Sequence, residues 1–169
     1  LQALKDNRID MIFHMNQNPY EAEQNDIILS NTVFEVNVAV LTGVEKFDEN
    51  EKNTVAVSRN NLLGKWYISF NYPFWKIKEY DSSAEVEKAV RSGEADCFVV
   101  KAGQSLKTLA NSKMYSVFLT KPGDSCFAVT RENITLMNIL NKTIQTLPAS
   151  RLSGLFSVYE NAPGRVTLA

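Results

Sequence analysis

Histidine is almost absent from this sequence: His14 stands alone among 169 residues, and only two cysteines, Cys97 and Cys126, accompany it. A zinc centre draws on several such ligands, so none of the ordinary kind is expected here, and no other cofactor is implied. A nucleophile needs a base in reach, and His14 has no evident partner along the chain, so no catalytic set emerges. Both cysteines sit in apolar strand contexts, where cysteine behaves as a small hydrophobe; whether they are bonded to each other stays open. Charge of one sign is missing too. Lys and Arg number 18 against 19 Asp and Glu, a net charge of −1, which leaves no electrostatic footprint for nucleic acid. No apolar run approaches the ~20 residues that span a bilayer, and no basic-then-apolar leader opens the chain. Leu1 falls inside a helical pattern with no cap before it, so a trimmed fragment is expected, with any leader and any membrane contact in segments outside this chain.

The organising stretch is Asp81 to Gly103. Ser82 and Glu85 form a capping box, because hydroxyl and carboxylate each accept a free amide of the first helical turn. Val86, Ala89 and Val90 follow at helical spacing. Gly93 sits where a left-handed cap belongs, and Cys97 to Val100 is a short apolar strand of the kind buried on both faces. The same unit occurs earlier: Ala3 to Phe13 matches Ala89 to Val99 position for position, with Asn7 in the place of Gly93. Asparagine is the other residue that tolerates the left-handed conformation. Asp10 and Asp96 recur at equivalent turns, which favours capping over acid–base work. Two copies of one helix–turn–strand unit imply two lobes.

In chain order, a polar surface loop or short irregular helix spans Asn16 to Asp26, and a long buried strand is predicted over Val33 to Thr42. An acidic connector covers Gly43 to Asn53, a strand Thr54 to Val57, and a helix capped by Asn60 or Asn61 carries Leu62, Leu63, Trp66, Tyr67 and Phe70. Trp66, Phe70 and Trp75 are read as core of the second lobe, the alternative being an exposed docking patch. Strands Lys76–Tyr80, Tyr115–Thr120 and Ser125–Thr130 and short helices over Gln104–Asn111 and Ser150–Tyr159 are predicted. Leu136, Ile139, Leu140, Thr143, Ile144 and Leu147 stripe a final helix that Pro148 closes. Strands alternating with helices predict α/β architecture with mostly parallel sheets.

The order of these segments resembles the bacterial extracellular solute-binding proteins of the amino-acid-binding type: Ala-Leu-x-x-Asn-x-x-Asp before a strand, a polar loop, Leu-Ser before a long strand, Tyr-Asp-Ser, Glu-Ala-Asp before a strand, and Cys-Phe-Ala-Val before the last helix. The resemblance runs from Leu1 to about Tyr159. It implies a two-lobed periplasmic-binding-protein-like (Venus flytrap) fold whose first lobe, residues 1–43 and 118–169, lacks its front, with a second lobe over 54–117 and hinges at 44–53 and 101–103. It implies a periplasmic or extracellular location and three roles in order of preference. These are a ligand-sensing domain of a membrane-bound histidine kinase or diguanylate cyclase, a solute-binding protein of an ABC transporter, and an enzyme on the same fold. A homodimer is one way for the first lobe to cover its exposed surface.

The resemblance also tests the ligand chemistry. Amino-acid binders of this type hold the ligand carboxylate with the arginine of a Thr-x-x-Arg motif, whose place falls here at about Glu23, and no arginine occurs between Asn16 and Ser30. Where they hold the ammonium with an aspartate, this chain has Lys101. The site is expected between His14, Asn16, Gln17 and Asn18 on one lobe and Ser58, Arg59, Asn60 and Lys101 on the other. Its ligand is expected to be anionic or neutral, and not a simple α-amino acid.

Overall fold

A computed structural model describes residues 1–101 and 113–148; the helices predicted over Gln104–Asn111 and Ser150–Tyr159 lie outside the described residues. The repeated unit is there twice. Helix α1 (Gln2–Lys5) turns at Asn7 into strand β1 (Ile12–Met15), and helix α4 (Ser83–Arg91) turns at Gly93 into strand β7 (Cys97–Lys101). Asn7 has φ of 53° and Gly93 of 75°, so both turns use the left-handed region the sequence assigned to them. The capping box of Ser82 and Glu85 is formed, and Val86, Ala89 and Val90 are buried. Asp96 ties its turn to the sheet by accepting the Thr54 amide at 2.6 Å.

Each copy belongs to a different sheet. The first combines β1 with β9 (Gly123–Thr130), β2 (Ile27–Leu29) and β3 (Phe34–Val36), all laddered on the long β9. The second runs β6 (Lys76–Tyr80), β5 (Thr54–Ser58), β7, β4 (Val38–Thr42), β8 (Tyr115–Phe118). The α/β class and the two lobes hold, but the sheets are not mostly parallel. Only the β5 ladders to β6 and β7 are parallel among those described; β4 meets β7 and β8 antiparallel, and β9 meets β1, β2 and β3 antiparallel. Helical crossovers make parallel neighbours, whereas β4 enters its sheet directly from the other lobe and so runs against the strands already there.

The predicted strand from Val33 to Thr42 is therefore two strands. β3 pairs β9 and β4 pairs β7 and β8, so the chain changes sheets at Asn37. It returns between Phe118 and Gly123. Both crossings join the two sheets, and β4 lies in the second sheet; residues 102 and 103 of the hinge expected at 101–103 lie outside the described residues. The crossings lie side by side: Leu119 N donates to Val38 O at 2.9 Å, and a Cβ on Gly123 would sit 3.1 Å from Val38 and 3.2 Å from Val36 side-chain carbons. The 44–53 connector is tied to the second crossing through Glu49. Glu49 accepts from Thr120 N at 3.0 Å, Thr120 Oγ1 at 2.5 Å and Tyr72 OH at 2.8 Å. Burial alone would raise the Glu49 carboxyl, but those hydrogen bonds and the Lys121 charge outweigh it and hold the carboxyl below its usual range.

Three cores follow from this topology. On one face of the second sheet Val38, Val40, Val55, Val57, Tyr72 and Trp75 pack together with Cys97; on the other Leu41, Ala56 and Met114 meet the buried stripe of α4. The first-lobe core holds Leu4, Met15, Ala22, Ile27, Cys126 and Ala128. It also holds Trp66, which the sequence reading gave to the second lobe. Helix α3 (Leu62–Asn71) follows β5 of the second sheet, yet turns Leu62, Leu63 and Trp66 into the first lobe and Tyr67 and Ile68 into its own. An amphipathic pattern shows that a face is buried and not which lobe receives it. Phe70, the third aromatic of that group, is exposed. Cys97 and Cys126 are free thiols in separate cores, and burial pushes both thiols up, so neither is reactive. The last described helix is α5 (Ile134–Thr146), whose buried residue is Met137 while Ile134 and Ile139 are exposed.

Candidate functional site between the lobes

The cleft lies where the ends of β1 and β7 face each other across the two crossings. His14 and Asn16 enter it from the first lobe, Val99, Val100 and Lys101 from β7, Asn61, Leu63, Gly64 and Tyr67 from the start of α3, and Val36, Val38 and Gly123 from the crossings; its volume is about 150 Å³. Val36, Val38, Leu63, Val99 and Val100 form its apolar wall. The charged side chain among the described lining residues is Lys101, and no aspartate, glutamate or arginine is among them.

Lys101 Nζ stands 2.8 Å from His14 Nε2, a bond from one lobe to the other. An ammonium carries donors only, so the imidazole nitrogen accepts and the ring is neutral with its proton on Nδ1. Burial first, and the Lys101 charge second, lower the His14 pKa from 6.5 to about 4. The Phe34 ring lies at 6.3 Å and 25° to the imidazole, and the Phe13 ring at 5.7 Å. Because the unfolded chain takes up a proton near pH 6.5 and the folded chain only near 4, stability falls as pH drops through that window and levels off below it. His14→Gln is expected to remove that component: melting curves of the variant and of the parent should differ in slope between pH 6.5 and 4 and run parallel above pH 7.

The eight residues expected in the site separate into two groups. His14, Asn16 and Lys101 meet in the cleft. Asn16 spends its Nδ2 on Leu63 O at 2.7 Å, an interlobe bond that leaves its Oδ1 toward the cavity side of Gly123, 3.7 Å from where a Cβ there would be. Gln17 donates to Ser30 O at 2.7 Å and does not line the cleft. Asn18 is buried: its Oδ1 caps α2 (Pro19–Gln24) through Glu21 N, and its Nδ2 donates to Trp66 O and Ser69 Oγ, each at 3.0 Å. It joins the lobes and is closed to a ligand. Ser58 ends β5, and its carbonyl accepts from Asn61 N. Arg59 pairs with Asp81 at 3.1 Å and Glu79 at 3.9 Å on the outer surface, and Asn60 is exposed in the turn before α3. In that turn the residue that lines the cleft is Asn61, whose Oδ1 caps α3 through Gly64 N at 2.9 Å. Tyr67, read from the sequence only as a residue of that helix, also lines the cleft: its hydroxyl donates to Lys121 O at 2.5 Å, and burial pushes its phenol up.

No protein-family model matches the chain, and no curated protein does. Solved structures do. The Bordetella pertussis BvgS VFT2 domain, as the double mutant F375E/Q461E, superposes with a TM-score of 0.66 at 22% identity over 92% of this chain and 70% of that one. The substrate-binding protein of an amino acid ABC transporter gives 0.62 at 19% identity over 94% and 73%, and an ancestral arginine-binding protein bound to arginine 0.63 at 20% over 96% and 75%. The chain therefore has the two-lobed periplasmic-binding-protein-like fold. Among the described residues no helix is long and apolar enough to cross a membrane, and no cluster of three metal-ligating side chains occurs.

Proposed function

We propose that this chain is an extracytoplasmic ligand-sensing domain of a membrane-bound signalling protein and that it binds a small organic anion between its lobes. The observation that carries the ligand class is Lys101 in a valine-lined cleft with no carboxylate among the described lining residues. A ligand carboxylate finds a donor there, whereas the ammonium of an α-amino acid meets the Lys101 charge and no carboxylate among the described lining residues, and an unpaired charge in a closed cleft costs several kcal/mol. The same loss of amino-acid chemistry favours sensing over transport. Fold neighbours of both kinds, a BvgS domain and an ABC substrate-binding protein, support a ligand-binding role over catalysis. A downstream membrane span followed by a kinase or cyclase domain in the gene would agree with the sensor; a neighbouring permease would argue for the transporter.

Thermal-shift screening tests the ligand. Butyrate and benzoate are expected to raise the melting temperature, and alanine and glutamate are not. A rise with the amino acids, lost in Lys101→Ala, would contradict the anion reading.

We also propose that the first lobe pairs with a second copy when the chain is alone. Met11 and Phe13 expose apolar surface on and beside β1, whose ladder among the described residues is to β9 on one edge, and such edges are ordinarily covered. Sedimentation should show a dimer that gains stability with concentration; a monodisperse monomer with unchanged cooperative unfolding would refute this.

A further inference from the structure

Gly123 opens β9, and a glycine in a strand weakens it unless something must come close to the backbone there. Its φ lies outside the left-handed region, where Gly93 stands, so what glycine supplies at 123 is space. A Cβ on it would sit 3.1 Å from a Val38 methyl carbon, 3.2 Å from one of Val36 and 3.7 Å from Asn16 Oδ1. Carbons in good contact stand about 3.5–4.0 Å apart, so a methyl fits only if the valines give way. Val36, Val38, Asn16 and Gly123 all line the cleft, which makes the space over Gly123 part of it, with two valines and one amide oxygen around it. The direction of that amide is fixed by its other end. Asn16 Nδ2 donates to Leu63 O at 2.7 Å, and a carbonyl accepts only from the NH2 side, so the atom turned toward Gly123 is the oxygen. Among the described residues no donor reaches this Oδ1, whereas the amide oxygens of Asn18 and Asn61 are both spent on helix caps.

We propose that the space over Gly123 is a second subsite of the cleft, which receives a hydroxyl of the ligand donating to Asn16 Oδ1, and that the ligand is a short hydroxy acid. The reading rests on the anion site proposed above and deepens it to a ligand class. An amide oxygen accepts, so it calls for a donor on the ligand. An apolar end would shut Oδ1 away from water without a partner, and a carboxylate end would set oxygen against oxygen. An ammonium donates, but it shares the cleft with the Lys101 charge, and no carboxylate is among the described lining residues. A neutral hydroxyl meets none of these objections. Val36, Val38, Leu63 and Val99 leave apolar wall for the body of the acid, which a volume of about 150 Å³ limits to a few carbons. Gly123 is then a specificity-determining residue, because a methyl there takes the place of the hydroxyl.

Isothermal titration with butyrate, 3-hydroxybutyrate, 4-hydroxybutyrate and 4-aminobutyrate tests the subsite by comparing affinities within one chain. The better of the two hydroxy acids is expected to bind about tenfold tighter than butyrate, the worth of one net hydrogen bond to an oxygen otherwise left unpaired. 4-Aminobutyrate should bind no tighter than butyrate. In Gly123→Ala, which fills the space, and in Asn16→Ala, which removes the acceptor, the ratio of hydroxy acid to butyrate affinity should fall to about one, whatever happens to affinity as a whole. In the parent chain the side-chain amide NMR signals of Asn16 should move more with the hydroxy acid than with butyrate, a readout that needs neither variant to fold. Equal affinities for butyrate and both hydroxy acids in the parent, or a preference that survives in both variants, overturns the hydroxyl subsite and leaves the anion site standing. Binding of 4-aminobutyrate tighter than both hydroxy acids overturns the hydroxyl as the donor. No binding by any of these acids overturns the anion site and the subsite with it.

Discussion

Trp66→Ala is expected to cost about 3–5 kcal/mol and to destabilise both lobes in one transition. The side chain is 2% exposed and lies among Leu4, Met15, Ala22, Ile27, Cys126 and Ala128 of the first lobe, although its helix begins in the second. The same turn of α3 offers its Trp66 carbonyl to Asn18 Nδ2. Removing the indole opens a cavity in one lobe and loosens the contact that ties the two together, so neither half keeps a separate stability. Urea unfolding followed by far-UV dichroism and by the fluorescence of Trp75, buried in the second-lobe core, should give coincident curves with a lower midpoint. Phe70→Ala, on the same helix but exposed, should change stability by no more than about 0.5 kcal/mol. Two separate transitions in Trp66→Ala, with the Trp75 signal unmoved, would show that α3 belongs to one lobe.

The second large effect is on the ligand. Lys101→Ala is expected to weaken butyrate binding by at least about thirtyfold, because truncating one partner of a desolvated charged contact costs about 2–5 kcal/mol and each 1.4 kcal/mol is tenfold. Arg59→Ala should leave that affinity unchanged. The sequence placed both cations in the site, but Arg59 is occupied with Asp81 and Glu79 outside the cleft. Isothermal titration of the two variants separates them. Equal losses would return Arg59 to the site, and a Lys101→Ala variant that binds as well as the parent would remove the lysine from it.

What could be read from the sequence was local. The match of Ala3–Phe13 to Ala89–Val99 pointed to two lobes, and Asn7 and Gly93 to the two left-handed turns and Ser82 with Glu85 to the start of α4, the latter because each turn and cap depends on residues close together in the chain. What escaped depends on partners far along the chain. Nothing in Val33–Thr42 marks Asn37 as the change of sheet, because the side chains alternate smoothly through it while the ladder passes from β9 to β7 and β8. The apolar face of α3 was evident, and its division between two lobes was not. In the candidate site, Lys101 was placed by the resemblance, at the position of the family's aspartate, and the structure sets it beside His14 in the cleft. Asn18 was taken for a ligand contact because a polar residue after a strand often is one; Pro19 at the first helical position was the available sign that Asn18 caps α2 instead.

Amide NMR of the chain titrated with butyrate tests most directly whether the ligand sits between the lobes. Saturable shifts should gather at 13–16, 36–38, 61–67, 99–101 and 123, the segments that line the cleft, and vanish in Lys101→Ala. Shifts confined elsewhere, such as the groove formed by Lys5, Asn7, Asp26, Thr130 and Arg131 on the first lobe, or shifts that never saturate, would contradict it.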